Sequence, residues 1–272
     1  MAFHVIERLA VEDDGEGAAV VCVHGLGGSS NTFTPLMPAF AGLRVIRPDL
    51  PGSARSAAAG GALSIERYAD AILSVCTRLG VGRAHFVGHS MGNIVCQHIA
   101  ATHPALVRSL AMFGPLIAPG DAARAAIRAR AEQARGGVAA MQAIAQTLAH
   151  AATSADTRQR APTAVAFVRE SLMRQDPDGY ARSCEALADA RGAAVENIAA
   201  PTLLVTGDED TVAPPQAVRA MAERLGASLG GSGPTARASV RVVVLSRCGH
   251  WTPIERPEEC VRELRSFLSG VR

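Results

Sequence analysis

Lysine is missing altogether from the 272 residues, so all 27 basic side chains are arginines. Its absence removes Schiff-base chemistry, a Walker-type phosphate loop and serine–lysine dyads from consideration. Aromatic residues make up only 4% of the chain, and no basic stripe with interleaved aromatics occurs. At a net charge of +2, nucleic acid is therefore not an expected partner. No uncharged apolar run reaches the length of a membrane span, so no membrane partner is expected either. The N-terminal Met1-Ala2-Phe3-His4-Val5-Ile6-Glu7-Arg8 is charged early and lacks the apolar centre of a secretory signal. The six cysteines (Cys22, Cys76, Cys96, Cys184, Cys248 and Cys260) show no C-x-x-C spacing. Neither a zinc site nor a disulfide framework is expected, and reduced, buried thiols point to a cytoplasmic protein.

What the chain does have is a hydrophobic content of 48%, enough for a sizeable core in one α/β domain. Apolar, β-branched runs predict strands over residues 5–9, 18–23, 43–46, 84–87, 106–113, 202–206 and 240–245, with a polar turn over 13–17. Helical spacing of apolar residues marks 64–79, with Ser64 as its N-cap, then the run opening near Ile94, and later 215–225 and 257–270. Strands alternating with helices imply βαβ units and a doubly wound, mostly parallel sheet whose loops gather at the strand carboxyl ends. Residues 118–191 break the alternation. They read as four helices, over 121–135, 137–151, 162–174 and 177–191, which exceeds what one crossover needs. A helical cap over 118–191 is expected on a core made of 1–117 and 192–272, ordinary crossover helices being the alternative. Residues 226–239, rich in Gly, Ser and Ala, read as a length insertion without chemistry.

The chemistry centres on Gly88-His89-Ser90-Met91-Gly92, set between a strand-like and a helix-like run. Strand, sharp turn and helix around G-x-S-x-G is the context of a nucleophile elbow, with glycines where neighbouring side chains would block the approach of strand and helix. An earlier strand ends in His24-Gly25-Leu26-Gly27-Gly28, whose spacing fails a dinucleotide fingerprint and suits a loop offering a backbone N–H to an oxyanion. A serine hydroxyl needs a base, and the base needs a group to fix its tautomer. Of the eight histidines only His24, His89 and His250 lie at predicted strand ends. His24 and His89 are committed by position, leaving His250, after the last strand. The acid is expected between serine and histidine at a strand end, where Asp210 stands with Asp208 and Glu209 as neighbouring rivals. Asp49, in Asp49-Leu50-Pro51-Gly52, is read as holding its turn rather than as catalytic.

The order serine, acid, histidine on successive strand ends resembles the α/β-hydrolases. The matching motifs run from His24 to Pro257, although Ser53 and Ala54 replace the more usual His and Gly of the family's turn after Asp49. The resemblance implies an oxyanion hole at the backbone N–H groups of Leu26 and Met91. Within the family, Asp176-Pro177-Asp178-Gly179-Tyr180 and the residues to Leu187 look like the 3-oxoadipate enol-lactonase group, whose substrate carries a carboxylate. A cap arginine is then implied, with Arg128, Arg130, Arg135, Arg169 and Arg174 all open; Gly25, Gly27, Arg128 and Arg135 are the expected substrate contacts. The reading is a serine hydrolase of a small ester or lactone, with no metal and no cofactor. Its rivals are a cofactor-free perhydrolase or haloperoxidase, a C–C bond hydrolase, and a non-catalytic receptor of the same shape.

Overall fold

A computed structural model describes residues 2–57, 60–227 and 240–271. Among them the strands are β1 (Ala2–Ile6), β2 (Leu9–Asp14), β3 (Ala19–Val23), β4 (Arg44–Pro48), β5 (Ala84–His89), β6 (Val107–Phe113), β7 (Thr202–Gly207) and β8 (Val240–Leu245). They form one eight-stranded sheet in the order β1-β2-β4-β3-β5-β6-β7-β8. The pairs β1/β2 and β2/β4 are antiparallel, and from β4 through β3 to β8 every pair is parallel. The fold is therefore α/β, with helices on both faces of a mostly parallel sheet.

Alternation along the strands explains the two cores. Val21 and Val23 of β3 face one way, with Phe86, Leu110, Met112 and Leu204, toward the helices α1 (Ile65–Arg78) and α2 (Met91–Thr102). Val20 and Cys22 face the other way, with Val87, Phe113 and Val205, toward the last helix of the chain. Strands buried on both faces must be apolar throughout, and this makes their runs readable without alternation. All six cysteines are unpaired and buried.

The parallel register sets the strand ends level. Val23 pairs with Gly88, His89 with Phe113, and Gly207 with Leu245. The loops after β3, β5, β7 and β8 consequently emerge along one edge. Between β6 and β7 run five α-helices, α3 (Asp121–Ala134), α4 (Val138–Ala151), α5 (Ala155–Arg160), α6 (Pro162–Met173) and α7 (Pro177–Ala188), and a 3-10 turn over Val195–Asn197. After β7 come α8 (Pro215–Ala227), α9 (Thr252–Glu255) and α10 (Pro257–Gly270), the last two following β8. Among the described residues no helix is long and apolar enough to cross a membrane.

Several expectations need correction. The strand expected over residues 5–9 is cut by a hairpin turn at Glu7 and Arg8, whose φ values are 48° and 74°. Such a turn is ordinarily announced by Gly or Asn, and its absence hid the break. Asp13 and Asp14, expected in a turn, belong to β2, and β4 continues through Arg47 and Pro48. Pro48 is tolerated because it sits at the last residue of the strand. The short α5 and α9 and a 3-10 helix over Ser30–Phe40 had no signal of their own; Pro35 and Pro38 interrupt the last of these. Of the Gly/Ser/Ala-rich stretch, Gly226 and Ala227 close α8 and residues 228–239 lie outside the described residues.

Candidate active site

Ser90 occupies the junction of β5 and α2 with φ 52° and ψ −122°, a backbone conformation that L-residues avoid. Its N–H donates to the carbonyl of Phe113 at 3.0 Å, which clamps the turn to β6. The flanking glycines are required by contact. A Cβ on Gly88 would sit 3.1 Å from the Asn93 backbone nitrogen, and one on Gly92 would sit 2.6 Å from the carbonyl oxygen of His24. Side chains there would drive α2 away from β3 and open the turn.

His250 follows β8, with its Nε2 2.9 Å from Ser90 Oγ. Its Nδ1 lies 2.8 Å from Asp210 Oδ2, in the loop after β7. The second carboxylate oxygen of Asp210 accepts from the N–H groups of Val212 and Ala213, both at 2.8 Å. Burial opposes ionisation of Asp210. The His250 charge, its hydrogen bond and the two backbone donors outweigh burial and hold the carboxyl at about 2. For His250 burial again disfavours the charge, and Asp210 raises its pKa despite this. A carboxylate fixed this way keeps the proton of a neutral imidazole on Nδ1, leaving Nε2 to accept from the serine. The acid's rivals are occupied elsewhere: Asp208 accepts from the N–H of Cys248 at 3.0 Å, and Glu209 from the N–H of Ala155 at 2.8 Å.

The two other strand-end histidines are braces. Nε2 of His24 accepts from the N–H of Leu50 at 2.9 Å while its Nδ1 donates to the Gly25 carbonyl at 2.8 Å. Burial lowers the pKa of His24 and keeps it neutral. His89 donates from Nε2 to the His250 carbonyl at 3.1 Å, and burial pushes its pKa down to about 3. Asp49 holds its turn, accepting from the N–H of Ser30 at 2.7 Å and from Arg55 Nε at 2.7 Å.

Leu26 lies beside Ser90: a Cβ on the preceding Gly25 would be 2.7 Å from Ser90 Cβ. Among the described residues the N–H groups of Leu26 and Met91 have no protein acceptor. The loop's outer side is tied to α6, because Ser171 Oγ and Gln175 Nε2 both donate to the Gly27 carbonyl, at 2.7 and 3.2 Å. Ser171 and Gln175 carried no recognisable motif, and only the docking of α6 gives them this role. Gly25 and Gly27, expected at the substrate, stand where a side chain would not fit. Gly25 packs on Ser90, and Gly27 (φ 72°) packs against Leu172 and Tyr180.

Ser90 and His250 open on a cavity of about 310 Å³ under the helical insertion, with largely apolar walls from Leu26, Leu116, Ile127, Leu187 and Trp251. The volume suits a small molecule. Ala123, Ile127 and Arg130 of α3 line it at helical spacing. Arg128 and Arg135 do not, which corrects the expectation for both. They project from the other side of α3 and pair with Asp189 and Glu185 of the neighbouring segment. Arg169 and Arg174 are also absent from the cavity wall. Arg130 is the one charged arginine there, and it has no ion-pair partner among the described residues. Beside it Tyr180 is held neutral by burial, with its buried hydroxyl against Arg130 and Cys184. Helical phase was the signal that could have separated Arg130 from its neighbours.

Residues 18–257 match the family model described as alpha/beta hydrolase fold. A 2-hydroxymuconate semialdehyde hydrolase of Pseudomonas putida is 29% identical over 278 residues, spanning 96% of this chain and 91% of its own. The solved enol-lactonase of Burkholderia xenovorans LB400 superposes with a TM-score of 0.84 at 26% identity, covering 98% of this chain and 100% of that one. A thermophilic esterase of Thermogutta terrifontis shares the fold, with a TM-score of 0.87 at 24% identity over 99% and 98% of the two chains.

The glycine contacts at the turn generate a stability prediction. Gly92→Ala is expected to lower the unfolding free energy by about 2–3 kcal/mol through overpacking against β3. Urea denaturation measures this, and an unchanged midpoint would mean that α2 has room to spare.

Proposed function

The chain belongs to the α/β-hydrolase fold family, and from that premise we propose that it is a serine hydrolase of small carboxylic esters or lactones. The observation that carries the reading is the line Asp210–His250–Ser90, with contacts of 2.8 and 2.9 Å, opening on a closed-in apolar cavity. Ser90 Oγ attacks the ester carbonyl as its proton passes to His250 Nε2, and Asp210 stabilises the imidazolium. The N–H groups of Leu26 and Met91 receive the tetrahedral oxyanion. His250 returns the proton to the leaving alkoxide, which in a lactone stays tethered to the acyl group. A water deprotonated by His250 then releases the acid from Ser90.

Residues 118–191 act as the cap and carry the substrate contacts, over a core of 1–117 and 192–272. Within the ester class, Arg130 and Tyr180 favour a substrate bearing a carboxylate, and the resemblance to an enol-lactonase supports a lactone. The partner is then a small molecule, in the cytoplasm, with no role for nucleic acid, membrane or cofactor. A second reading, cleavage of a C–C bond by the same residues, is favoured by similarity to the Pseudomonas putida hydrolase. Turnover of a β-diketone without turnover of any lactone would select it.

Ser90→Ala is expected to abolish ester and lactone turnover and labelling by a fluorophosphonate probe; parental rates in that variant would sink the assignment. A test of the cavity wall is Arg130→Gln. It is expected to raise KM about tenfold or more for a carboxylate-bearing lactone and to leave its uncharged analogue within about twofold. Equal effects on both substrates would exclude an anion subsite.

The pH dependence follows from His250, which works only when neutral. Burial lowers its pKa, but the charges of Asp210 and Glu255 raise it above the ordinary 6.5. kcat/KM is therefore expected to fall as pH drops through a midpoint above 6.5. In Asp210→Asn that limb should move to lower pH while kcat drops by about 10⁴-fold. A limb that stays put in this variant would assign the titration to another group.

A further inference from the structure

One buried carboxylate is left over once Asp210, Asp49 and Glu12, which pairs with Arg47 and Arg55, are accounted for. Glu255, at the end of α9, is only 4% exposed, and its two oxygens accept three backbone N–H groups. Oε2 takes Gly249 at 3.0 Å and Ser154 at 2.8 Å, and Oε1 takes Trp251 at 3.1 Å. Gly249 and Trp251 are the residues on either side of His250. The N–H of His250 itself donates to the Ala152 carbonyl at 2.9 Å. Three successive N–H groups are thus engaged, two by one side chain, and the third by the same α4–α5 turn that supplies Ser154. The fit leaves no slack, since a Cβ on Gly249 would lie 2.6 Å from the Ala152 oxygen and 2.8 Å from Glu255 Oε1.

We propose that Glu255 is a positioning residue for His250, holding the histidine turn from both flanks and fastening it to the helical insertion. The inference rests on the reading of Ser90 and His250 as the reacting pair. Donors approach both ends of the side chain, so only an ionised carboxylate, which is acceptor at both oxygens, satisfies them. A carboxamide would turn an NH₂ toward at least one N–H. Among the described residues no cation lies within ion-pair distance of Glu255. Its carboxylate is met by peptide N–H groups, the guanidinium of Arg256 going to the Glu255 backbone carbonyl at 2.7 Å, and its charge is felt by the imidazole nearby. Burying an unpaired charge is costly, and a site that forms an imidazolium during turnover has a use for it. Glu255 thereby adds a second negative charge to that of Asp210 without touching the reacting atoms.

The titratable and charged groups facing His250 are Asp210 from the loop after β7, Ser90 and His89 from the β5–α2 turn, and Cys248 of its own loop. Glu255 from α9 and Arg130 from α3 across the cavity join them, with Arg256 and His24 acting on Cys248 and His89 behind. Of these, Glu255 can be neutralised with its shape retained and the Asp210–His250–Ser90 contacts left in place.

The test is the pH profile of p-nitrophenyl acetate hydrolysis in full-length variants whose folding is checked by circular dichroism. In Glu255→Gln the acid limb of kcat/KM should move to lower pH by about half a unit or more, because imidazolium loses a favourable charge. kcat above the limb should fall about tenfold with KM within about twofold. In Glu255→Asp the charge stays but the oxygens withdraw by a methylene, so the limb should hold while kcat falls. Glu209→Gln is the control for simple tethering. It removes the carboxylate that accepts from Ala155 in the same turn of the insertion, and its limb should remain parental. A parental limb in folded Glu255→Gln, or parental kcat in Glu255→Asp, overturns the proposal. If Glu255→Gln does not fold, Glu255→Asp decides alone. Failure here with Ser90→Ala inactive rejects only the role of Glu255. An active Ser90→Ala rejects the underlying reading instead.

Discussion

The structure depends on how closely α2 can approach the sheet. Ser90 holds its strained φ of 52° because β5 and α2 are pressed together across Gly88 and Gly92, with β3 carbonyls directly behind. Strain of this kind persists only where the surroundings over-determine it. Here the surroundings are the clamp from Phe113 on β6, the buried apolar face of α2 and the parallel register that sets Val23, Gly88 and Met112 side by side. The same register brings the loops carrying Leu26, Asp210 and His250 to the serine. Packing in the sheet and chemistry at its edge are one arrangement.

Around that edge the polar groups are held by neighbours rather than by solvent. His24, His89 and Asp49 look like catalytic candidates by type and location, yet each is spent on a backbone group that shapes a loop. Burial keeps both histidines neutral, which suits an acceptor or single donor fixed in one tautomer. His250 differs because a carboxylate sits on one nitrogen and a hydroxyl on the other. The distinction lies in partners, and residue type is blind to it.

The helical insertion is fastened to both sides of the site. Ser171 and Gln175 hold the loop after β3 through the Gly27 carbonyl, and the α4–α5 turn meets the histidine loop through Ala152 and Glu255. An element that roofs the cavity therefore also sets the geometry below it. The cavity wall follows from helical phase: Arg130 shares a face with Ile127, while Arg128 and Arg135 point to Asp189 and Glu185.

Read alone, the amino-acid sequence determined the sheet's buried strands, the elbow around Ser90, the order of serine, acid and histidine, and the existence of a helical insertion. These are local patterns: apolar runs, glycines at tight turns and helical spacing all act over a few residues. It missed the hairpin turn at Glu7 and Arg8 because that turn lacks its usual residues, and it missed α5 and α9 because four to six residues carry too little periodicity. Only the tertiary structure decided which arginine faces the cavity, which carboxylates brace which N–H groups, and that Glu255 grips the turn around His250. Those assignments join residues as much as 101 positions apart, Ser154 and Glu255 among them, and depend on how elements dock. No spacing along the chain encodes such contacts, because they exist only once the insertion has packed against the strand ends.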